Sequence, residues 1–229
     1  MLDDKSHRKL PHVLIEDTRP LGAGNERRLL NHPKHPERAL KVFVERRPEM
    51  AASSPKGWAI RNLVWVRNRR QRRELECYLD LHLRGATTDP NLPIARIIGF
   101  CNTDHGPALE VEKIRAINNG RVGSTLRRLL AQDDKRERLP DLLNNLMDRL
   151  EHFEIFVSDA NRSNIIMTEI GKKEELVLVD GFGDYRTIRW FAHAPWMIRR
   201  SIVRSFAAQA DFWQLPFDHR RGRFTARPR

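Results

Sequence analysis

The chain has 229 residues, 40% of them hydrophobic, and 42 Lys and Arg against 30 Asp and Glu leave it a formal charge of +12. That length allows one large domain or two small lobes with a real core. Two cysteines, Cys77 and Cys101, make no metal motif and no disulfide framework, and no run approaches the roughly 18 apolar residues of a membrane helix, so a disulfide scaffold and a membrane span are both excluded.

Residues 1–18 read as a polar arm or a first edge strand; they lack the apolar core of a signal peptide, so a cytoplasmic protein is expected. "LGAGNERRLLNH" reads as strand, glycine turn, strand. In "RALKVFVERR", Leu40, Val42 and Val44 alternate with Lys41 and Phe43, as in a further strand. Residues 48–58 are small and proline-containing, a loop. From Trp58 to about Leu83 the period becomes helical, with Leu75, Tyr78, Leu79 and Leu83 on one face. "ARIIGFCNT" and "PALEVEKI" predict two strands around "TDHG". Ser124 is the predicted N-cap of a short helix. "LPDLLNNLMDRLEHF" is a second helix, with Leu142, Leu146 and Leu150 on one face. "NIIMTE" and "ELVLVDG" predict a hairpin, and "WMIRRSIVRSFAAQADFWQL" a last amphipathic helix. The basic end, "DHRRGRFTARPR", reads as an unstructured tail. β-rich material thus precedes helical material, which predicts an α+β fold of two lobes with a boundary near residue 112. The expected segments are an arm at 1–18, a β-rich N-lobe at 19–112, a small, mainly helical C-lobe at 113–217 and a tail at 218–229.

Four pieces carry chemistry. Gly22 and Gly24 lie between two strands, where backbone N–H groups could close over phosphates or simply make a hairpin turn. Lys41 sits inside an apolar strand, either on an exposed face or turned inward. Glu74, with Glu76 as a weaker candidate, lies on a helix that is solvated or functional. The strongest piece is "FVSDANRSNII": Asp159 and Asn164 are five positions apart between apolar flanks, and Asp180 follows the apolar run "LVLV". Asp180 alone could be an ordinary Asp-Gly turn residue. Together the three bring a carboxylate, an amide and a second carboxylate toward one rim, with hard oxygen ligands for Mg²⁺ and an Asp left to accept a proton.

This order is that of the protein-kinase-like fold. On "PLGAGNERRLLNHP", "ALKVF", "RRELECY", and "SNII" followed by "VLVDG", residues 19–190 resemble the bacterial YrbL family, linked to the PhoP regulatory network and itself kinase-like. The resemblance implies a phosphotransferase using ATP and Mg²⁺. Gly22 and Gly24 match the nucleotide loop, Lys41 the strand lysine and Glu74 its helix partner. Residues 108–113, including Glu110 and Glu112, stand where kinases bind adenine. Asp159 matches the catalytic base, and Asn164 and Asp180 the metal ligands.

Departures from the kinase pattern accompany these matches. Arg27 replaces the third loop glycine, Ser158 the catalytic-loop arginine, and Asn161 a lysine whose charge Arg162 could supply. They leave open a pseudokinase that binds a nucleotide or a regulatory partner protein. The phosphoryl acceptor is not legible. The arginines of residues 61–73 read as a solvated helix face, so no specific nucleic-acid partner is expected.

Overall fold

Alternating apolar residues in the first part of the chain produce a single sheet. The computed structural model describes residues 12–15, 20–23, 27–43, 68–115, 122–170, 173–183 and 194–226. The chain divides into two units, Met1–Arg69 with Ile97–Lys113, and Arg70–Arg96 with Ile114–Arg229.

The sheet of the first unit contains β1 (His12–Val13), β2 (Pro20–Ala23), β3 (Arg27–Asn31), β4 (Arg38–Phe43), β5 (Ile97–Thr103) and β6 (Gly106–Glu112). Their order is β1-β5-β6-β4-β3-β2. All neighbours are antiparallel except β1, which joins β5 in parallel. Leu30, Leu40, Val42 and Ala108 pack with Ile15 as the core of this unit, with Val13 and Cys101 against them. The predicted arm thus contributes a short edge strand, tied down where the Asp104 carboxylate accepts the Ile15 N–H at 3.0 Å.

The second unit opens with helix α1 (Arg69–Leu83), most of which the sequence had placed in the first lobe. Its described start is Arg69; residues 51–67 lie outside the described residues. Its buried positions are also not the predicted ones: Gln71, Glu74 and Leu81 are buried, whereas Leu79 and Leu83 are exposed. Leucine spacing identified the helix, but burial followed a stripe that includes polar residues.

Next come α2 (Leu126–Leu129), α3 (Asp133–Arg136), α4 (Leu139–His152), the hairpin β7 (Ile165–Ile170) and β8 (Lys173–Leu178), and α5 (Pro195–Trp213). The N-cap of α2 is Thr125, not Ser124, and it makes no side-chain cap bond. The Ser124 carbonyl is instead engaged by the Met167 N–H of β7 at 2.9 Å. α4 buries Leu146 and Leu150 of the predicted face together with Leu139, Leu143 and Met147, whereas Leu142 is only half-buried, and it packs against α5 and β8. A largely buried ion pair, Arg149 to Glu175 at 2.7 Å, ties α4 to β8.

The first part of the expected unstructured tail is instead a small hairpin, β9 (Phe217–Asp218) with β10 (Arg223–Phe224); residues 227–229 lie outside the described residues. Two features overrule its basic composition. Phe224 is buried, stacked at 5.9 Å on Trp213 and edge-on to Phe217 at 4.9 Å. The Asn144 side-chain amide of α4 then serves both backbone groups of Phe224, each at 2.9 Å. Arg223 adds an ion pair with Asp148. Both cysteines are free thiols, and burial pushes the Cys77 thiol up to about 12. Among the described residues, no helix is long and apolar enough to cross a membrane.

Candidate active site

The clearest chemistry lies in two loops of the second unit. One runs from Phe156 to Asn164, between α4 and β7; the other runs from Val179 to Gly183, after β8. Val157 and Phe182 face each other in an antiparallel bridge. The Gly183 N–H donates to the Phe156 carbonyl at 2.9 Å. The Gly181 carbonyl accepts from the N–H groups of Ser158, at 2.8 Å, and Asp159, at 3.1 Å. The Ser158 hydroxyl is a third donor to that carbonyl, at 2.8 Å. Ser158, in the place of an arginine, therefore links the two loops.

Gly181 is required by this lacing. It has φ +83°, and a Cβ there would sit 2.1 Å from the Asp159 carbonyl oxygen. Gly183, with φ +93°, would meet the Arg73 carbonyl at 2.8 Å. Phe182 between them is fully buried, an apolar anchor under the charged residues.

The loops place the three predicted polar residues on neighbouring strand ends. The Val179 N–H donates to the Asn164 carbonyl at 2.8 Å, so Asn164 and Asp180 leave adjacent strand ends. Asp180 turns one carboxylate oxygen onto the N–H of Gly181 at 2.6 Å, which is turn chemistry. Asp159 is exposed by surface area, yet the protein around its carboxyl raises its pKa by desolvation, and the charge of Asp180 raises it further. The Asn161 backbone N–H and the charge of Arg70 oppose this. Two carboxylates of which one acts on the other's charge, with the half-buried Asn164 on the strand end next to Asp180, are a donor set suited to a hard cation such as Mg²⁺.

Sequence reasoning missed Ser201 and Ser205 on α5. The Ser201 hydroxyl accepts the Val157 N–H at 3.2 Å, and the Ser205 hydroxyl donates to the Val157 carbonyl at 3.0 Å. Two serines four apart on a helix carry no signal of their own, because serine is common on helix faces. Arg162 places its guanidinium 4.3 Å over the Phe212 ring, an exposed cation–π contact.

The remaining candidates divide by location. Lys41 lies in the middle of β4 between Leu29 and Leu109, and it is buried rather than on an exposed strand face. Glu74 is fully buried on α1 in the second unit. Gly22 pairs with Leu29 after a register shift in β2; Gly24 lies outside the described residues. Glu110 is inside the sheet, with Leu40 on one side and Gly99 on the other. Its carboxylate pairs with Arg38 at 2.9 Å and faces the His32 ring at 3.7 Å. The other nitrogen of that ring accepts the N–H groups of Lys34 and His35, at 3.1 and 3.0 Å, and burial pushes the His32 pKa down. Glu110 therefore serves the β3–β4 turn. Glu112 is exposed and lies past Val111, where the register with β5 ends.

The family described as PhoP regulatory network protein YrbL matches residues 13–211. The chain belongs to this family. No curated protein matches. Among solved structures it is similar to a double mutant of the Mycobacterium tuberculosis PknI kinase domain. The identity is 18%, the TM-score 0.41, and the match covers 71% of this chain and 58% of that one. The chain therefore spans less than two thirds of that domain, and a likeness of this size is too slight to assign an activity. Within the YrbL family chain, the kinase-like order of elements is present: a glycine-bearing strand pair, a strand lysine, a helix glutamate, then the laced loops with Asp159, Asn164 and Asp180.

Proposed function

We propose that this YrbL family protein is an ATP- and Mg²⁺-dependent phosphotransferase with a hydroxyl acceptor. The observation that carries the proposal is the lacing of the two loops, which holds Asp159 beside Asp180 with Asn164 next to them. Asp180 and Asn164 are the residues suited to hold Mg²⁺, which when bound neutralises phosphate charge. Asp159 is left to orient the acceptor hydroxyl and take its proton. Lys41, buried in β4, is the residue we assign to phosphate charge, and Gly22 and Gly24 are assigned to the nucleotide loop. Glu110 and Glu112 mark the segment whose backbone would meet adenine, the Glu110 carboxylate itself being taken by Arg38. This function places the protein in the cytoplasm, with a nucleotide and an acceptor molecule or regulatory partner protein as its partners.

One observation favours a second reading, a nucleotide-binding or partner-binding regulatory protein without turnover. Arg162, the residue able to replace the missing catalytic-loop lysine, has its guanidinium on Phe212. Thermal melting with ATP, with and without Mg²⁺, tests both readings. Binding to the native state alone raises stability by about 2.7 kcal/mol at a hundredfold excess over Kd. Asp180→Asn removes the Mg²⁺ dependence of the shift. Asp159→Asn keeps the shift and abolishes phosphotransfer. Binding without turnover in the wild type selects the regulatory reading. If Asp180→Asn binds Mg²⁺·ATP as the wild type does, Asp180 is only a turn residue, and both readings of this site as a Mg²⁺·nucleotide site fall.

A further inference from the structure

Val157 lies two residues before Asp159 and is 1% exposed. The hydrogen bonds of its bridge to Phe182 are carried by its neighbours, from Gly183 to Phe156 and from Ser158 to Gly181. The N–H and C=O of Val157 itself therefore point away from the metal-side loop, into protein, where an unmet backbone group is costly. α5 meets both. Ser201 accepts the N–H at 3.2 Å while donating its own proton to the Ile198 carbonyl at 2.7 Å, which fixes the direction of its lone pairs. Ser205, one turn further along, donates to the C=O at 3.0 Å. Alanine is the better helix former, and Ser201 is buried, so helix propensity and solubility do not account for a hydroxyl at that position.

We infer that Ser201 and Ser205 are positioning residues that set the backbone of the Asp159 loop from the side opposite the Asp180 loop. The segment 156–159 is then the middle member of three, held by the Gly181 carbonyl and the Gly183 N–H on one edge and by serine hydroxyls on the other. The consequence for turnover rests on the phosphotransferase proposal; the consequence for the loop does not.

The test compares wild type, Ser201→Ala, Ser205→Ala, the double variant and Ser205→Thr. Backbone amide hydrogen exchange is read at residues 156–159 and 181–183, with α4 as reference. Turnover of Mg²⁺·ATP is read as separate kcat and KM values. The alanine variants are expected to exchange about tenfold faster in the two loops, as the loss of one hydrogen bond allows, with α4 unchanged. Their kcat is expected to fall about tenfold with KM for ATP unchanged, and Ser205→Thr, which keeps a hydroxyl, to restore both. Unchanged loop exchange overturns the inference, as does equal acceleration in α4, or faster loop exchange with unaltered kcat. A wild type that neither binds nor turns over Mg²⁺·ATP sinks the phosphotransferase proposal instead, and loop exchange alone then decides the positioning role. If the double variant does not fold, Ser205→Ala at its less buried site carries the comparison.

Discussion

Two irregular stretches of the second unit solve one problem in different ways. The Asp159 and Asp180 loops and the C-terminal hairpin both lie outside the larger sheet, and both have backbone groups met by helix side chains. For the loops these are Ser201 and Ser205 of α5; for the hairpin it is Asn144 of α4. The hairpin adds an aromatic cluster of Phe206, Trp213, Phe217 and Phe224. The loops have one buried aromatic, Phe182, and must leave three polar side chains accessible. Hydrophobic burial cannot hold a carboxylate at the surface, so the loops depend on glycine geometry and backbone hydrogen bonds. A stretch held by packing and a stretch held by backbone lacing should fail differently.

The largest expected loss of stability comes from the packed stretch. Phe224→Ala removes a buried ring stacked on Trp213 and should cost about 3–5 kcal/mol by denaturant unfolding. Mg²⁺·ATP affinity, measured where the variant is folded, should stay unchanged. A parallel loss of affinity would mean that the two stretches are one cooperative piece.

Gly181→Ala should show the converse. A Cβ placed 2.1 Å from the Asp159 carbonyl, at φ +83°, forces the loops apart. The expected cost is roughly 2–3 kcal/mol, with loss of the Mg²⁺-dependent thermal shift out of proportion to that cost. Retention of the full shift would show that the lacing is dispensable for the site.

The smallest effect is expected from Asn144→Ala. It removes two hydrogen bonds to Phe224 but leaves the aromatic cluster, so about 1–2 kcal/mol should be lost. Chemical-shift changes should be confined to residues 217–226. A loss as large as that of Phe224→Ala would make the amide, not the rings, the main restraint on the hairpin.

The candidate residues were legible to different degrees. Asp159, Asn164 and Asp180 stood out because polar residues interrupting apolar runs mark strand ends, and the structure brings these three to adjacent loop positions. Glu110 had the same local look, yet Arg38 and His32 meet its carboxylate from other parts of the sheet. For Lys41 strand alternation left an exposed and an inward position open, since it names two faces without saying which faces are covered, and the structure buries the side chain. The leucine stripe of α1 failed for a related reason: Leu79 and Leu83 fit the helical period but remain exposed, while Gln71 and Glu74 are buried.

What the sequence determined by itself was local: the period of each strand and helix, the turn at Asp180–Gly181, the absence of a membrane-length apolar run and the YrbL motifs in order. Tertiary structure decided which side chains meet. It turned a basic tail into a docked hairpin through Asn144 and Trp213, assigned Glu110 to the β3–β4 turn, and recruited two unremarkable serines to the backbone of Val157. The physical reason is one of range. Backbone preference and periodicity act over a few residues and are written in neighbouring letters. The partner of a buried polar group is chosen by packing between segments 40 to 80 residues apart, as from Val157 to Ser201 and from Asn144 to Phe224, and no spacing rule encodes it.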